Sequence, residues 1–240
     1  MSNNWNESFS DYILLIGLNA DIDTGTEEVV PASRGTLPTN EFVASIVSSD
    51  NTNDKAAGTG ALTATIRGIQ KTTYKAIEET VTLNGTTPVV TTTLFIRIND
   101  VEVQTAGSTG TNAGTLTTSL NSQGQDVVPI GHGRSHQATY AVPASTEAVI
   151  ESIEVSAVVA AGNITAIIFE YRSISTLASP GPWKTYDFGS LKHAVEASRA
   201  LIPINGAIIV PPKHEFRVKL TTATDNAVTY AAVRFGLRPR

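Results

Sequence analysis

Ala56-Ala57-Gly58-Thr59-Gly60-Ala61-Leu62-Thr63-Ala64-Thr65-Ile66-Arg67-Gly68 opens the stretch that decides the fold. It continues through Glu78-Glu79-Thr80-Val81-Thr82-Leu83-Asn84-Gly85-Thr86-Thr87 and Phe95-Ile96-Arg97-Ile98-Asn99. It closes at Ala106-Gly107-Ser108-Thr109-Gly110-Thr111-Asn112-Ala113-Gly114. Thr, Val and Ile fill short runs and Gly or Asn interrupts them, the composition of strands joined by turns. Asn84-Gly85 is the sharpest local signal. Both residues tolerate positive φ and β-prone runs flank them, so the pattern predicts a tight hairpin. No reactive side chain is concentrated in this stretch.

The same texture extends outward. Strands are expected at 42–48, 61–67, 76–83, 87–98, 100–105, 115–120, 126–130 and 136–142. Their spacing fits an antiparallel sandwich, and no 3.6-residue apolar period competes with it. A boundary is expected near Pro143-Ala144-Ser145. Past it, strands over 148–160, 164–172, 208–210, 216–220 and 228–237 predict a second, jelly-roll-like sandwich. A long connection through Ser179-Pro180-Gly181-Pro182-Trp183 and one helical turn around Ser190–Ser198 interrupt it. Residues 1–40 read differently, with polar linkers, Pro31, Pro38 and a single apolar run, Tyr12-Ile13-Leu14-Leu15-Ile16-Gly17-Leu18. They predict an extended N-terminal arm with a strand at 12–18, packed on its own domain or added to a neighbour. The expected fold class is therefore all-β: two antiparallel β-sandwich (jelly-roll-like) domains, 41–144 and 145–240, preceded by the arm.

Length and charge set bounds on this reading. The 240 residues suffice for one large β domain or two ordinary ones. Charged residues make up 16% of the chain, which argues against a solvated disordered tail and fits packed sheets with hydroxyl-bearing outer faces. A net charge of −5 shows no electrostatic footprint for nucleic acid. With no cysteine, disulfides, thiolate catalysis and Cys-based zinc sites are excluded. The apolar run at 12–18 is too short to span a bilayer and follows Asp11. The Asn-x-Ser/Thr matches at Asn6, Asn84 and Asn163 are what a Thr-rich chain yields by chance.

Candidate chemistry is sparse. Asp21-Ile22-Asp23-Thr24-Gly25 with Glu27 and Glu28 offers alternating oxygens of the kind calcium needs. Its fifth position is Gly and no bidentate Glu falls in place, so it reads as a solvated acidic turn. Gly131-His132-Gly133-Arg134-Ser135-His136 spaces two histidines four apart, but two glycines oppose a helix there, so it reads as a loop entering a strand. His193 and His214 are isolated. There is no Gly-x-Ser-x-Gly elbow and no phosphate-binding loop ending, and nothing selects a carboxylate pair. No catalytic, cofactor-binding or metal residue is assigned, and no cofactor is expected. Trp183 and Tyr186 are the candidates for stacking on a sugar, although a lone Trp beside prolines, such as Trp183, more often caps a core edge. In the arm, Trp5, Tyr12, Ile13, Leu14, Leu15 and Ile16 are the candidates for anchoring a partner.

The stretch also resembles a family of virion proteins from tailed bacteriophages, especially aquatic ones. The resemblance lies in Asn53-Asp54 with Ala57-Gly58-Thr59-Gly60-Ala61, Ile66-x-Gly68, and Glu79-Thr80-Val81-x-Leu83-Asn84-Gly85-Thr86. It continues in Phe95-x-Arg97-Ile98-Asn99, Ala106-Gly107-Ser108-x-Gly110-x-Asn112-Ala113-Gly114 and Ala138-x-Tyr140-x-Val142-Pro143-Ala144. It covers about residues 48 to 160. Ser145 stands where the family carries Gly, and Lys71 and Lys75 flank Tyr74 where relatives carry an acidic turn. The resemblance implies a β-rich structural component of a virus particle, present in many copies and without enzymatic activity.

The expected function is thus a non-enzymatic bacteriophage virion protein: a capsid cement, decoration or minor capsid protein acting by protein–protein contacts. The alternative is a tail or vertex appendage, a fibre or spike, binding host carbohydrate. Expected partners are the major capsid protein or neighbouring copies, in a homo-oligomer with a trimer as the suggested form, and neither nucleic acid nor membrane. The expected location is the virion, assembled in host cytoplasm. Deleting residues 1–40 is expected to leave a folded protein that no longer joins particles.

Overall fold

The alternation read in the sequence becomes antiparallel strands throughout. A computed structural model describes residues 11–22, 25–30, 35–158, 164–176, 180–188, 198–222 and 227–240. In chain order the strands are β1 (Asp11–Ile22), β2 (Gly25–Glu28), β3 (Phe42–Ser48), β4 (Ala61–Ile69), β5 (Ala76–Thr82), β6 (Val89–Phe95), β7 (Arg97–Ala106) and β8 (Leu116–Leu120). They continue with β9 (Gln123–Val128), β10 (Thr139–Ala141), β11 (Thr146–Val158), β12 (Ile164–Ser173), β13 (Lys184–Asp187), β14 (Ser198–Val210), β15 (His214–Thr222) and β16 (Ala227–Pro239). The helical turn expected at Ser190–Ser198 lies outside the described residues, except that Ser198 begins β14.

Two compact units form, Met1–Val29 with Ala138–Arg240, and Val30–Gln137. The segment read as an arm is therefore divided between them, and the chain re-enters the first unit before the boundary read near Pro143. The reason is long-range pairing. β1 lies along β16 from Asp11↔Leu237 to Asn19↔Thr229, so its partner is more than 200 residues away and leaves no local mark.

In the first unit one sheet runs β1-β16-β11-β14, and a second runs β10-β15-β12-β13 with β2 also on β15. Period two sends Leu15, Ile150, Ile153, Val233 and Phe235 of the first sheet, and Ile167, Phe169, Phe216 and Val218 of the second, into one apolar cluster. Phe216 meets Phe235 edge to face at 5.2 Å, joining the sheets at the centre of that cluster. β2 and β10 lie along the same side of β15, and the entire second unit is inserted between them. The two connecting segments lie side by side, with the Ala138 N–H donating to the Val29 carbonyl at 3.0 Å. Gly17 of β1 is required there: a Cβ would meet the Val29 oxygen at 2.4 Å and the Ala138 Cβ at 2.6 Å.

The second unit holds a sheet β6-β3-β8-β9 and a sheet β5-β4-β7 around a shared cluster that includes Ile46, Ile66, Phe95, Val101, Leu116 and Leu120. Here the hairpin expected at Asn84-Gly85 is corrected. β5 pairs with β4 and β6 pairs with β3, so this turn carries the chain from one sheet to the other. Gly85 takes φ of 59° and its N–H donates to Asp54 O at 2.8 Å, which makes it a crossover. The two-residue hairpin sits instead at Asn121-Ser122, between β8 and β9, with φ of 51° and 61°.

Candidate functional site

Along β1 the alternation of faces divides the anchoring residues read from sequence. Leu15 is buried at 5% exposure and Ile13 packs on the core. Tyr12, Leu14 and Ile16 point outward, Tyr12 at 66% exposure. Trp5 lies outside the described residues. β1 is an edge strand, so these three side chains border the outer face of a four-stranded sheet.

Register shows what else lies on that face. Tyr12 is opposite Gly236, Gly236 opposite Val149, and Val149 opposite Ile209, forming one row across all four strands. A second row joins Ile16, Ala232, Glu154 and Leu201. Between them Leu14 faces Arg234, which faces Ser152. Leu18 faces Tyr230 in the next row. Leu201 is 62% exposed, and Ile209 and Tyr230 are also open. Isolated exposed apolar residues need no explanation; here six lie on adjoining rows of one face, a larger apolar patch than scattered residues make. Leu201, Ile209 and Tyr230 escaped the sequence reading. Apolar-polar alternation in β16 was an available signal, but β14 has continuous apolar runs at 200–204 and 207–210, and neither says which face is outward.

The other sheet of this unit presents charge. Arg217 pairs with Glu170 at 2.7 Å and with Glu28, and Arg172 pairs with Glu215 at 2.6 Å. Trp183 lies over both guanidinium groups, with ring-centroid distances of 4.3 Å to Arg172 and 3.8 Å to Arg217. Tyr186 is on the opposite side of β13, stacked on Tyr171 at 6.1 Å and 41% exposed. Burial, then the hydrogen bond with Tyr171, raises the pKa of its hydroxyl. The two stacking candidates thus lie on opposite faces, because three positions along a strand reverse the face.

In the second unit, buried Asp54 binds two loops. Its carboxylate accepts Ser48 Oγ at 2.6 Å, Ala61 N at 2.8 Å, Ala113 N at 2.9 Å and Gly114 N at 2.8 Å. Asp54 thereby clamps the start of β4 and the 113–114 segment before β8 to its own loop. On the outer face of β4, Arg67 contacts Glu102 at 2.6 Å, Asp100 at 2.9 Å and Glu78 at 3.1 Å. Burial opposes its charge, but the bonds to Glu102 and Asp100 outweigh that and raise its pKa. Thr63 with Thr105 and Thr65 with Thr80 extend the same face as hydroxyl pairs at 2.6 and 2.8 Å.

His132 and His136 meet edge to face at 4.6 Å, with His136 buried. Burial, reinforced by His132, lowers the pKa of His136. Among the described residues no three or more His, Asp or Glu side chains group as metal ligands. In the acidic turn, Asp23 and Thr24 lie outside the described residues, Glu27 accepts Asn19 Nδ2 at 3.2 Å, and Glu28 is held by Arg217.

No family model matches the chain, and no curated protein does. Solved structures that it overlays include viral ones. The structure of the infectious bursal disease virus Gt strain is 10% identical over 99% of this chain and 74% of that one, with a TM-score of 0.28. The infectious bursal disease virus VP2 subviral particle is 10% identical over 99% and 73%, with a TM-score of 0.23. Overlap of this size assigns neither fold nor function to the chain.

Proposed function

We propose that this chain is a non-enzymatic structural protein of a virus particle, acting through protein–protein contacts in an oligomer. The supporting observation is strand order. With β2 and β10 counted as one split strand, the described residues of the first unit form eight strands in the order first-eighth-third-sixth opposite second-seventh-fourth-fifth. That is the double Greek-key order of a jelly roll, an architecture used by viral capsid and lectin domains. The second unit is an inserted module of two sheets. Fold alone does not decide function, and the apolar outer face on the first unit is what favours a mating surface over a reactive pocket.

Within that reading the finer assignment is a bacteriophage capsid cement, decoration or minor capsid protein, for which the resemblance across residues 48–160 speaks. Copy number in purified particles tests it. A number tracking the capsid subunits is the expected result, and a handful of copies per particle would overturn it. The appendage reading has one observation in its favour: Tyr186 is open at a sheet edge of a fold that also serves lectins.

A further inference from the structure

We infer that the outer face of β1-β16-β11-β14 is covered by a second copy of the same chain, across a twofold axis parallel to the strands and lying between β16 and β11. The inference deepens the structural-protein reading and rests on it for its biological meaning. Its physical argument is self-complementarity. Such an axis lays β1 of one copy over β14 of the other and keeps the rows matched. Tyr12 then meets Ile209 of the second copy, and Ile16 meets Leu201, so two of the three exposed apolar residues of β1 face an exposed apolar residue of β14. In an isologous interface every such contact occurs twice.

The central strands fit the same operation. Gly236, Ala232 and Ser152 are small, which allows two sheets to approach to the usual spacing of about 10 Å. These rows carry Arg234 on β16, Glu154 one row further on β11, and Arg199 on β14 in the row of Leu18 and Tyr230. The axis places β16 over β11 of the second copy, so Arg234 of each comes within reach of Glu154 of the other. Charge therefore complements itself across the axis.

Area is sufficient. The six open side chains, Tyr12, Leu14, Ile16, Leu201, Ile209 and Tyr230, leave on the order of 600 Å² exposed, against about 800 Å² per partner in a standard interface. The polar residues between and around them supply the remainder. A β1-to-β1 strand addition would leave Leu201 and Ile209 uncovered, so face-to-face packing is the arrangement that accounts for all six.

The test is a charge exchange on the full chain, read as molar mass by light scattering after size exclusion. The wild type is expected at twice the chain mass, while Arg234→Glu and Glu154→Arg are each expected to be monomeric. An equimolar mixture of the two variants is expected to recover the dimer, because only the mixed pair places opposite charges across both contacts. Within one chain each variant keeps a like-charge pair, so an intramolecular bond cannot produce that recovery. A monomeric or trimeric wild type, a variant that dimerises alone, or a mixture that stays monomeric would overturn the inference. Should either charge variant fail to fold by circular dichroism, Leu201→Glu on the exposed surface replaces it. Loss of the dimer is then expected, and a retained dimer refutes the proposed face. Copy number in particles is a separate measurement, so failure of this face and failure of the virion reading remain distinguishable.

Discussion

The carboxylate of Asp54 accepts the backbone N–H of Gly114 at 2.8 Å, bonding two loops 60 residues apart in the chain. The same side chain holds Ala61, Ala113 and Ser48, so removing it strands several buried donors at once. Asp54→Ala should cost about 3 kcal/mol or more. Asp54→Asn, which retains one acceptor oxygen, should cost less. Urea unfolding of both variants checks this, and a loss under about 1 kcal/mol for the alanine variant would remove the clamp from the account.

Ser122 holds φ of 61° in the β8–β9 hairpin, beside Asn121 at 51°. Asn tolerates this region and Ser does so less well, so Ser122→Gly should stabilise the protein by up to about 1 kcal/mol. The readout is the denaturant midpoint at unchanged slope. A lower midpoint would show that unfolded-chain entropy outweighs the relief of strain.

His136 gives the second unit a pH dependence with a definite sign. Burial, with His132 beside it, lowers its pKa in the folded state from the ordinary 6.5. The unfolded chain therefore binds the extra proton first as pH falls. Stability from keeping this imidazole neutral is complete above 6.5 and is lost as pH falls from there through the folded value. Unfolding midpoints at pH 7.5 and 5 should differ in the wild type, and the difference should shrink in His136→Gln. An equal difference in both would assign the effect to other groups.

β1 supplies Leu15 and Ile22 to the core and covers the edge of β16. The expectation that residues 1–40 can be removed from a folded protein is therefore revised. Deletion through Ile22 should abolish the cooperative unfolding of the first unit and produce aggregation through the bared strand. Leu15→Ala should cost about 2–5 kcal/mol. Light scattering and thermal melts report both, and a soluble, cooperative truncation would show that β1 is dispensable.

Trp183 stacks on Arg172 and Arg217, so Trp183→Ala should lower stability by about 1–2 kcal/mol and leave adsorption to host cells unchanged. Adsorption abolished at wild-type stability would instead favour the carbohydrate-binding appendage.

Much of the strand content was legible because period-two alternation and turn residues act locally. The expected run 42–48 coincides with β3, and the expected run 61–67 ends two residues before β4 does. Pairing was less legible. Asn84-Gly85 has the chemistry of a hairpin, yet its flanking strands belong to different sheets, because tertiary context selects among the conformations a turn permits. The true hairpin at Asn121-Ser122 carries a weaker signal, with Ser at a position where Gly is usual.

From residues alone come the all-β character, the positions of many of the strands and the absence of thiol chemistry, since each depends on side-chain type and spacing of two. Which strands adjoin, which face of β1 meets the core, and that Tyr12 shares a row with Ile209 were decided by the folded chain. Such rows join residues nearly 200 positions apart through backbone hydrogen bonds, and a backbone amide carries no label in the sequence naming its partner.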